Sequence, residues 1–214
     1  REVLPGHAQT GGGMFQGHVI RDSEQVRIGV FGGSFDPIHI GHLIVVEAAA
    51  DALALDVVHM IPARMQPFKT GSLEAGPEHR VAMARLAIQD NPRLVLDLRE
   101  IQREGPSYTV DSLRELRDEK PDDELCLLVG ADAARDISQW HEAEQLRRLA
   151  TVVVLSRPGV EPPKNEIFDR FIKVPAIGVS ATDVRDTLRR GGSVRYLVPP
   201  AVAAYIESRG LYRM

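Results

Sequence analysis

Cysteine is nearly absent: Cys126 is the single one in 214 residues. A disulfide framework needs pairs and a thiolate zinc site needs several ligands, so both are excluded. No excess of basic charge is present either. Twenty-six Lys and Arg against 30 Asp and Glu give a formal charge of −4, which argues against a dedicated nucleic-acid binder. No apolar run approaches the roughly 18 residues of a membrane helix, so no membrane partner is expected. Aromatic residues are sparse at 5%, beside 43% apolar and 26% charged residues, a globular composition. Two standard nucleotide motifs are missing. There is no G-x-x-x-x-G-K-[ST] and no G-x-G-x-x-G after the first strand, which demotes a P-loop enzyme and a hydride-transferring dehydrogenase. What remains is a single domain in a reducing, cytoplasmic compartment, long enough to build its own core.

Residues 1–25 read as a tail. The segment to Gly17 carries Gly11-Gly12-Gly13 and no apolar block resembling a signal-peptide core, and Met14 stands as a candidate start. From Val26 to the end the pattern is one domain. Short apolar runs at 27–31, 57–61, 94–98, 125–129 and 151–155 predict strands. Helical spacing at 41–55, 77–88, 109–119, 131–149, after Ser180 and at 199–209 fills the intervals, and a Pro/Gly/Lys-rich loop follows the fifth strand. Strand and helix in alternation predict an α/β fold, a doubly wound parallel sheet of Rossmann-like type. In such sheets ligands sit beyond the carboxyl ends of the strands, which directs attention to the loops after Phe31, Ile61, Val129 and Leu155.

The first of these loops reads Gly32-Gly33-Ser34-Phe35-Asp36-Pro37-Ile38-His39-Ile40-Gly41-His42. Two glycines let the backbone approach a ligand, and Ser34 offers a hydroxyl. His39 and His42 are three apart and share a face at a helix start, where free N–H groups and the helix dipole favour an anion. The combination suits phosphate oxygens, with the imidazoles donating to charge that builds during phosphoryl or nucleotidyl transfer. A pair of capping or core histidines is the bland alternative. A metal site is not expected, because the pair lacks a third ligand. Late in the chain, Val179-Ser180-Ala181-Thr182-Asp183-Val184-Arg185 has a capping-box start at Ser180 and Asp183. Arg185, about a turn further on, can reach the same anion with its forked donors; an ordinary capped helix with a surface arginine is the alternative there.

These two segments resemble the signatures of the HxGH-motif nucleotidyltransferases, the second being similar to an S-T-x-x-R element. Four further segments narrow the resemblance to the bacterial nicotinate-nucleotide adenylyltransferase family. They are Pro62-Ala63-Arg64-Met65-Gln66-Pro67-Phe68-Lys69, Gly105-Pro106-Ser107-Tyr108-Thr109-Val110-Asp111, Gly130-Ala131-Asp132 with Trp140 eight residues on, and Ser156-Arg157-Pro158-Gly159. Four positions depart from the family pattern: Ser34 where Thr is usual, Phe68 where His precedes Lys69, Ala181 where a second Ser is common, and His141 where Tyr often follows the Trp.

The resemblance implies adenylyl transfer from ATP to nicotinate mononucleotide, giving nicotinate adenine dinucleotide and pyrophosphate, a step of NAD biosynthesis. It implies Mg²⁺ accompanying ATP and leaves a homo-oligomer open. It also implies the roles. His39, His42 and Arg185 are the catalytic candidates, joined around ATP by Gly33, Ser34, Phe35, Gly130, Asp132, Arg157, Ser180 and Thr182. Lys69, Tyr108, Thr109 and Trp140 are candidates for the nicotinate nucleotide, with Trp140 stacking on the pyridine ring. Cys126 reads as inert core, the charges of 113–120 as a solvated helix face, and His59 and His79 as histidines with no constellation around them. On the residues alone, a sister transferase acting on phosphopantetheine, glycerol phosphate or the amide mononucleotide, a nucleotide-sensing module, and a synthetase fragment are the rivals.

Overall fold

Near-continuous apolar runs are what strands buried on both faces require. The computed structural model, which describes residues 25–67, 73–156 and 165–213, places them at the centre of one parallel sheet. Its strands are β1 (Arg27–Gly33), β2 (Val57–Pro62), β3 (Leu94–Leu96), β4 (Glu124–Gly130), β5 (Thr151–Ser156) and β6 (Arg170–Lys173). Their order is β3-β2-β1-β4-β5-β6, with every neighbouring pair parallel. The order reverses between β1 and β4, so the crevice lies beyond the C-terminal ends of those two strands. Residues 1–24 of the expected tail and the loop around 162–164 lie outside the described residues.

Strand alternation sorts the core into two layers. Phe31, Cys126, Leu128, Val153 and Leu155 face one side, where they meet α1 (Ile40–Leu53), α2 (Pro77–Ile88), α7 (Ala181–Arg189) and α8 (Pro200–Arg209). Ile28, Val30, Leu127, Val129 and Val154 face the other, against α4 (Thr109–Glu119) and the segment after β4. Helix α1 buries Val46, Ala49, Ala50 and Leu53, the i, i+3, i+4, i+7 stripe of an amphipathic helix.

Three differences from the sequence reading have physical causes. The helix expected over 131–149 is broken into α5 (Ala131–Ala134), 3₁₀ turns at Ile137–Gln139 and Ala143–Gln145, and α6 (Leu146–Leu149). Glu142 turns left-handed there, at φ 48°, yet Ile137, Ala143 and Leu146 still face the core; the apolar spacing marks burial without guaranteeing continuity. Strand β6 was not expected because Arg170-Phe171-Ile172-Lys173 holds no apolar run. It is fixed by pairing with β5 and by Asp169, whose N–H donates to Val152 O at 2.9 Å while its carboxylate accepts from Val152 N at 2.8 Å. The four-residue α3 (Arg99–Gln102) is too short to leave a periodic signal.

Candidate active site

The chain leaves β1 at Gly33 and enters α1 at Ile40, and the residues between them form the floor of the crevice. Phe35 is buried at φ 48° and Asp36–Pro37 is a cis peptide. His39, extended at φ −138° and ψ 169°, precedes the helix. The His39 and His42 rings stack with centroids 3.7 Å apart at 28°. His39 is buried and His42 half-buried, its edge against Phe35 with centroids 5.2 Å apart. The His39 amide donates to His42 Nδ1 at 3.2 Å. Nδ1 of His42 is therefore an acceptor, and the neutral ring carries its proton on Nε2 as a donor. Gly41 is required by this stack: a Cβ there would stand 3.0 Å from His39 Nδ1 and 3.4 Å from Val179 O.

That last contact brings in the second motif. Ser180 caps α7, its Oγ accepting from Asp183 N at 3.2 Å while Asp183 Oδ2 accepts from Ser180 N at 3.0 Å and from its hydroxyl at 2.6 Å. These bonds from Ser180 hold the Asp183 carboxyl below its usual range, with His39 adding a smaller electrostatic pull. Arg185, one turn on, donates from Nη1 to Asp36 O at 2.7 Å and from Nε to Glu74 at 2.7 Å. Thr182 Oγ1 lies 3.4 Å from Arg185 Nη2. His39, His42, Ser180, Thr182 and Arg185 thus gather at the starts of α1 and α7, beside the end of β1 with Gly33 and Ser34.

Residues that the sequence reading did not single out hold this floor together. Arg80 is fully buried and donates from Nη1 to Ser34 O and Ala63 O, both at 2.7 Å, and from Nε to Ala75 O at 3.2 Å. Burial lowers its pKa, opposed by the charge of Asp36. The signal was available: Arg80, Met83, Ala84 and Ile88 are the buried positions of α2, so Arg80 sits on the core stripe of its helix. Asp36 is buried as well, and its carboxylate accepts from Glu74 N at 2.8 Å, Ala75 N at 3.1 Å and the Tyr212 hydroxyl at 2.7 Å. Burial and that bond raise the Tyr212 pKa far above its ordinary value.

Tyr108, Thr109 and Trp140, candidates for the nicotinate nucleotide, belong to a second set of segments attached to the same scaffold. Ser107 Oγ accepts from Arg64 N at 2.9 Å, tying the Gly105–Asp111 segment to the loop after β2 that Arg80 also grips. Tyr108 stacks on His141 with centroids 4.2 Å apart at 27°, and Tyr108 and Trp140 pack on the same core layer. Thr109 opens α4. Gly130 closes β4 across the switch point with φ −63°, and no atom lies within 4 Å of where its Cβ would be. Asp132 is exposed in the following turn. Lys69 and Arg157 lie outside the described residues.

Two histidines read as isolated have partners. His59 Nδ1 is 2.8 Å from Asp97 Oδ2, and His79 Nδ1 is 3.0 Å from the Tyr205 hydroxyl. The face of α4 is also not wholly solvated, since Arg117 donates to Asp123 O at 2.7 Å and Leu149 O at 2.9 Å. Among the described residues, no group of three or more His, Cys, Asp or Glu side chains could hold a metal ion, and no helix is long and apolar enough to cross a membrane.

Comparison with known proteins fits this geometry. Residues 30–187 match the family described as cytidylyltransferase-like. A probable nicotinate-nucleotide adenylyltransferase of Thermus thermophilus is 46% identical over 188 residues, covering 88% of this chain and 100% of the relative. One from a Roseiflexus species is 47% identical over 195 residues, covering 87% and 98%. Among solved structures, the Plasmodium falciparum nicotinic acid mononucleotide adenylyltransferase complexed with NaAD superposes with a TM-score of 0.70 at 20% identity, covering 88% of this chain and 98% of that one, a likeness of fold. With the two motifs meeting at the switch point of the same sheet, the chain is a nucleotidyltransferase that belongs to the cytidylyltransferase-like family and, within it, to the nicotinate-nucleotide adenylyltransferases.

Proposed function

We propose that the protein transfers the adenylyl group of ATP to nicotinate mononucleotide, releasing pyrophosphate and forming nicotinate adenine dinucleotide, and that residues 26–214 form the catalytic unit behind a tail of 1–25. The observation that carries the reading is the convergence of the two motifs: Arg185 of α7 donates to Asp36 O within the loop that leads to His39 and His42.

The mononucleotide phosphate attacks the α-phosphorus of ATP in line, the new P–O bond forms as the bond to the β-phosphate oxygen breaks, and pyrophosphate departs. Such chemistry asks for positioning and charge stabilisation and for no enzyme nucleophile. His42 offers Nε2–H to oxygen charge that grows in the transition state, and the His39 ring, stacked against it, fixes its plane. Gly33, Ser34 and the Phe35 backbone line the phosphate path. Ser180, Thr182 and Arg185 take the departing pyrophosphate end, where a guanidinium and a helix N-terminus both favour an anion. Gly130, Asp132 and Arg157 border adenosine; the open space at Gly130 suits close approach of a ligand. Lys69 is assigned to neutralise the mononucleotide phosphate, Trp140 stacks on the pyridine ring, Thr109 faces its carboxylate, and Tyr108 lines the same nucleotide.

Mg²⁺ enters with ATP in this reading. The Asp36 carboxylate is already committed to Tyr212 and two backbone amides, and Mg²⁺ on phosphates keeps several waters and needs few protein ligands. The test is dinucleotide synthesis from Mg²⁺-ATP and nicotinate mononucleotide by single variants H39N, H42N and R185Q. Each is expected to remain folded in a thermal melt and to lose about 100-fold or more in kcat/KM. Wild-type turnover in H42N and R185Q together would dismiss these roles.

A further inference from the structure

Three groups form a closed ring beneath the proposed polyphosphate site. The Asp36 carboxylate accepts from the Glu74 amide at 2.8 Å. The Glu74 carboxylate accepts from Arg185 Nε at 2.7 Å. Arg185 Nη1 returns to the Asp36 carbonyl at 2.7 Å. Each vertex is therefore fixed by the other two. The same Glu74 oxygen also accepts from Arg189 Nη2, which sits one helical turn after Arg185 on α7. Two guanidinium groups at i, i+4 repel one another, and the carboxylate between them removes that repulsion. Arg189 has a second partner in Asp186 Oδ1 at 2.6 Å, so it does not depend on Glu74 for its position. Among the described residues, Arg185 has one further side-chain hydrogen bond, to Thr182 Oγ1 at a long 3.4 Å.

We propose that Glu74 is a positioning residue for nucleotidyl transfer: it holds Nε of Arg185 so that the guanidinium offers Nη2, beside Thr182, to the departing pyrophosphate. The inference rests on the reading of Arg185 as a polyphosphate ligand. A planar guanidinium held at Nε by a carboxylate and at Nη1 by a carbonyl loses little freedom when its Nη2 meets an anion. Without the carboxylate, Arg185 loses its hold at Nε and is pushed by Arg189 about its remaining bond to the Asp36 carbonyl, and misplacement by about an ångström at such a site costs on the order of 100-fold.

The experiment compares E74A, E74Q, R185A, R189A and the E74A/R185A double variant in steady-state synthesis from Mg²⁺-ATP and nicotinate mononucleotide, with a thermal melt of each. E74A is expected to lower kcat/KM for ATP by about ten- to 100-fold, while KM for nicotinate mononucleotide stays within about twofold. E74Q, whose amide oxygen still accepts from Nε, should fall between E74A and wild type, and it carries the test if E74A unfolds. R189A should leave kcat/KM within about threefold of wild type. In the R185A background, E74A should add less than about twofold, because its effect runs through Arg185. A lower KM for ATP in E74A would mean that Glu74 competes with the nucleotide for Arg185, and would overturn the proposal. So would a loss that persists undiminished without Arg185, or an E74A enzyme equal to wild type. Wild-type synthesis by R185A would instead sink the reading of Arg185, and the proposal with it.

Discussion

Replacing Gly41 by alanine sets two effects of known sign against each other. In the first turn of α1, alanine gains up to about 1 kcal/mol over glycine by restricting the unfolded chain. The new Cβ, however, would stand 3.0 Å from His39 Nδ1, 3.1 Å from its Cε1 and 3.4 Å from Val179 O. Carbon contacts relax at about 3.5–4.0 Å, so the ring must retreat by roughly 0.5 Å. It has nowhere free to go: His39 is 6% exposed and stacked on His42 with centroids 3.7 Å apart. Crowding of this kind costs about 1–3 kcal/mol, so the net loss of stability lies between about zero and about 2.5 kcal/mol, or a fall of at most roughly 5–10 °C in Tm for a chain of this size. Activity has no compensating gain. The displaced stack moves the Nε2 donor of His42, and kcat/KM should fall about tenfold or more. Thermal melts and pyrophosphate release measured on the same preparation separate the two. A G41A enzyme with wild-type kcat/KM would refute the argument that the stack positions the donor.

Other expectations follow from the same geometry. Gly130→Leu adds a side chain into open space at an ordinary φ, so Tm should hold or rise slightly while KM for ATP increases about tenfold or more; an unchanged KM would remove Gly130 from the nucleotide path. Arg80→Met leaves several buried carbonyls without donors and should cost about 3–5 kcal/mol in denaturant unfolding, whereas a loss under about 1 kcal/mol would show that the loops do not need the clamp. Asp97 is half-buried, which raises its pKa, but hydrogen bonds from His59 and Arg99 outweigh this and hold it well below the usual carboxylate range. The stability it contributes is complete above the unfolded pKa near 4 and is lost as pH falls through the lower folded value. An acid-unfolding series should therefore show D97N losing less stability than wild type below a pH of about 4, and parallel curves would contradict the assignment. Burial pushes the Cys126 thiol up to about 11, so iodoacetamide at about pH 8 should label it only after denaturant is added; rapid native labelling would mean the strand opens.

Five of the six strands of the sheet and the two motifs were legible because each rests on local chemistry, whereas β6 is fixed by its pairing with β5. Continuous apolar runs such as Val152–Leu155 name buried strands, and Ser180 with Asp183 names a capped helix start from the residue types and their spacing alone. The members of the site contributed by long-range contacts were not legible in the same way. Asp36 meets Tyr212 from the far end of the chain, and Glu74 meets Arg185 across 111 residues, separations that no periodicity encodes. Arg80 did leave a trace as a charge on an apolar stripe, and His59 left none, since its partner Asp97 stands beside it only because β2 and β3 pair. The break after β4 was invisible because no glycine or proline announces the left-handed turn at Glu142.

The central claim is tested most directly by pyrophosphate release from Mg²⁺-ATP with nicotinate mononucleotide, its amide counterpart and phosphopantetheine offered in parallel to the wild-type protein and to H42N. The account predicts fast release with the nicotinate form, little with the other two, and loss of the nicotinate rate in H42N. Release with phosphopantetheine alone, or ATP binding with no release from any acceptor, would contradict it.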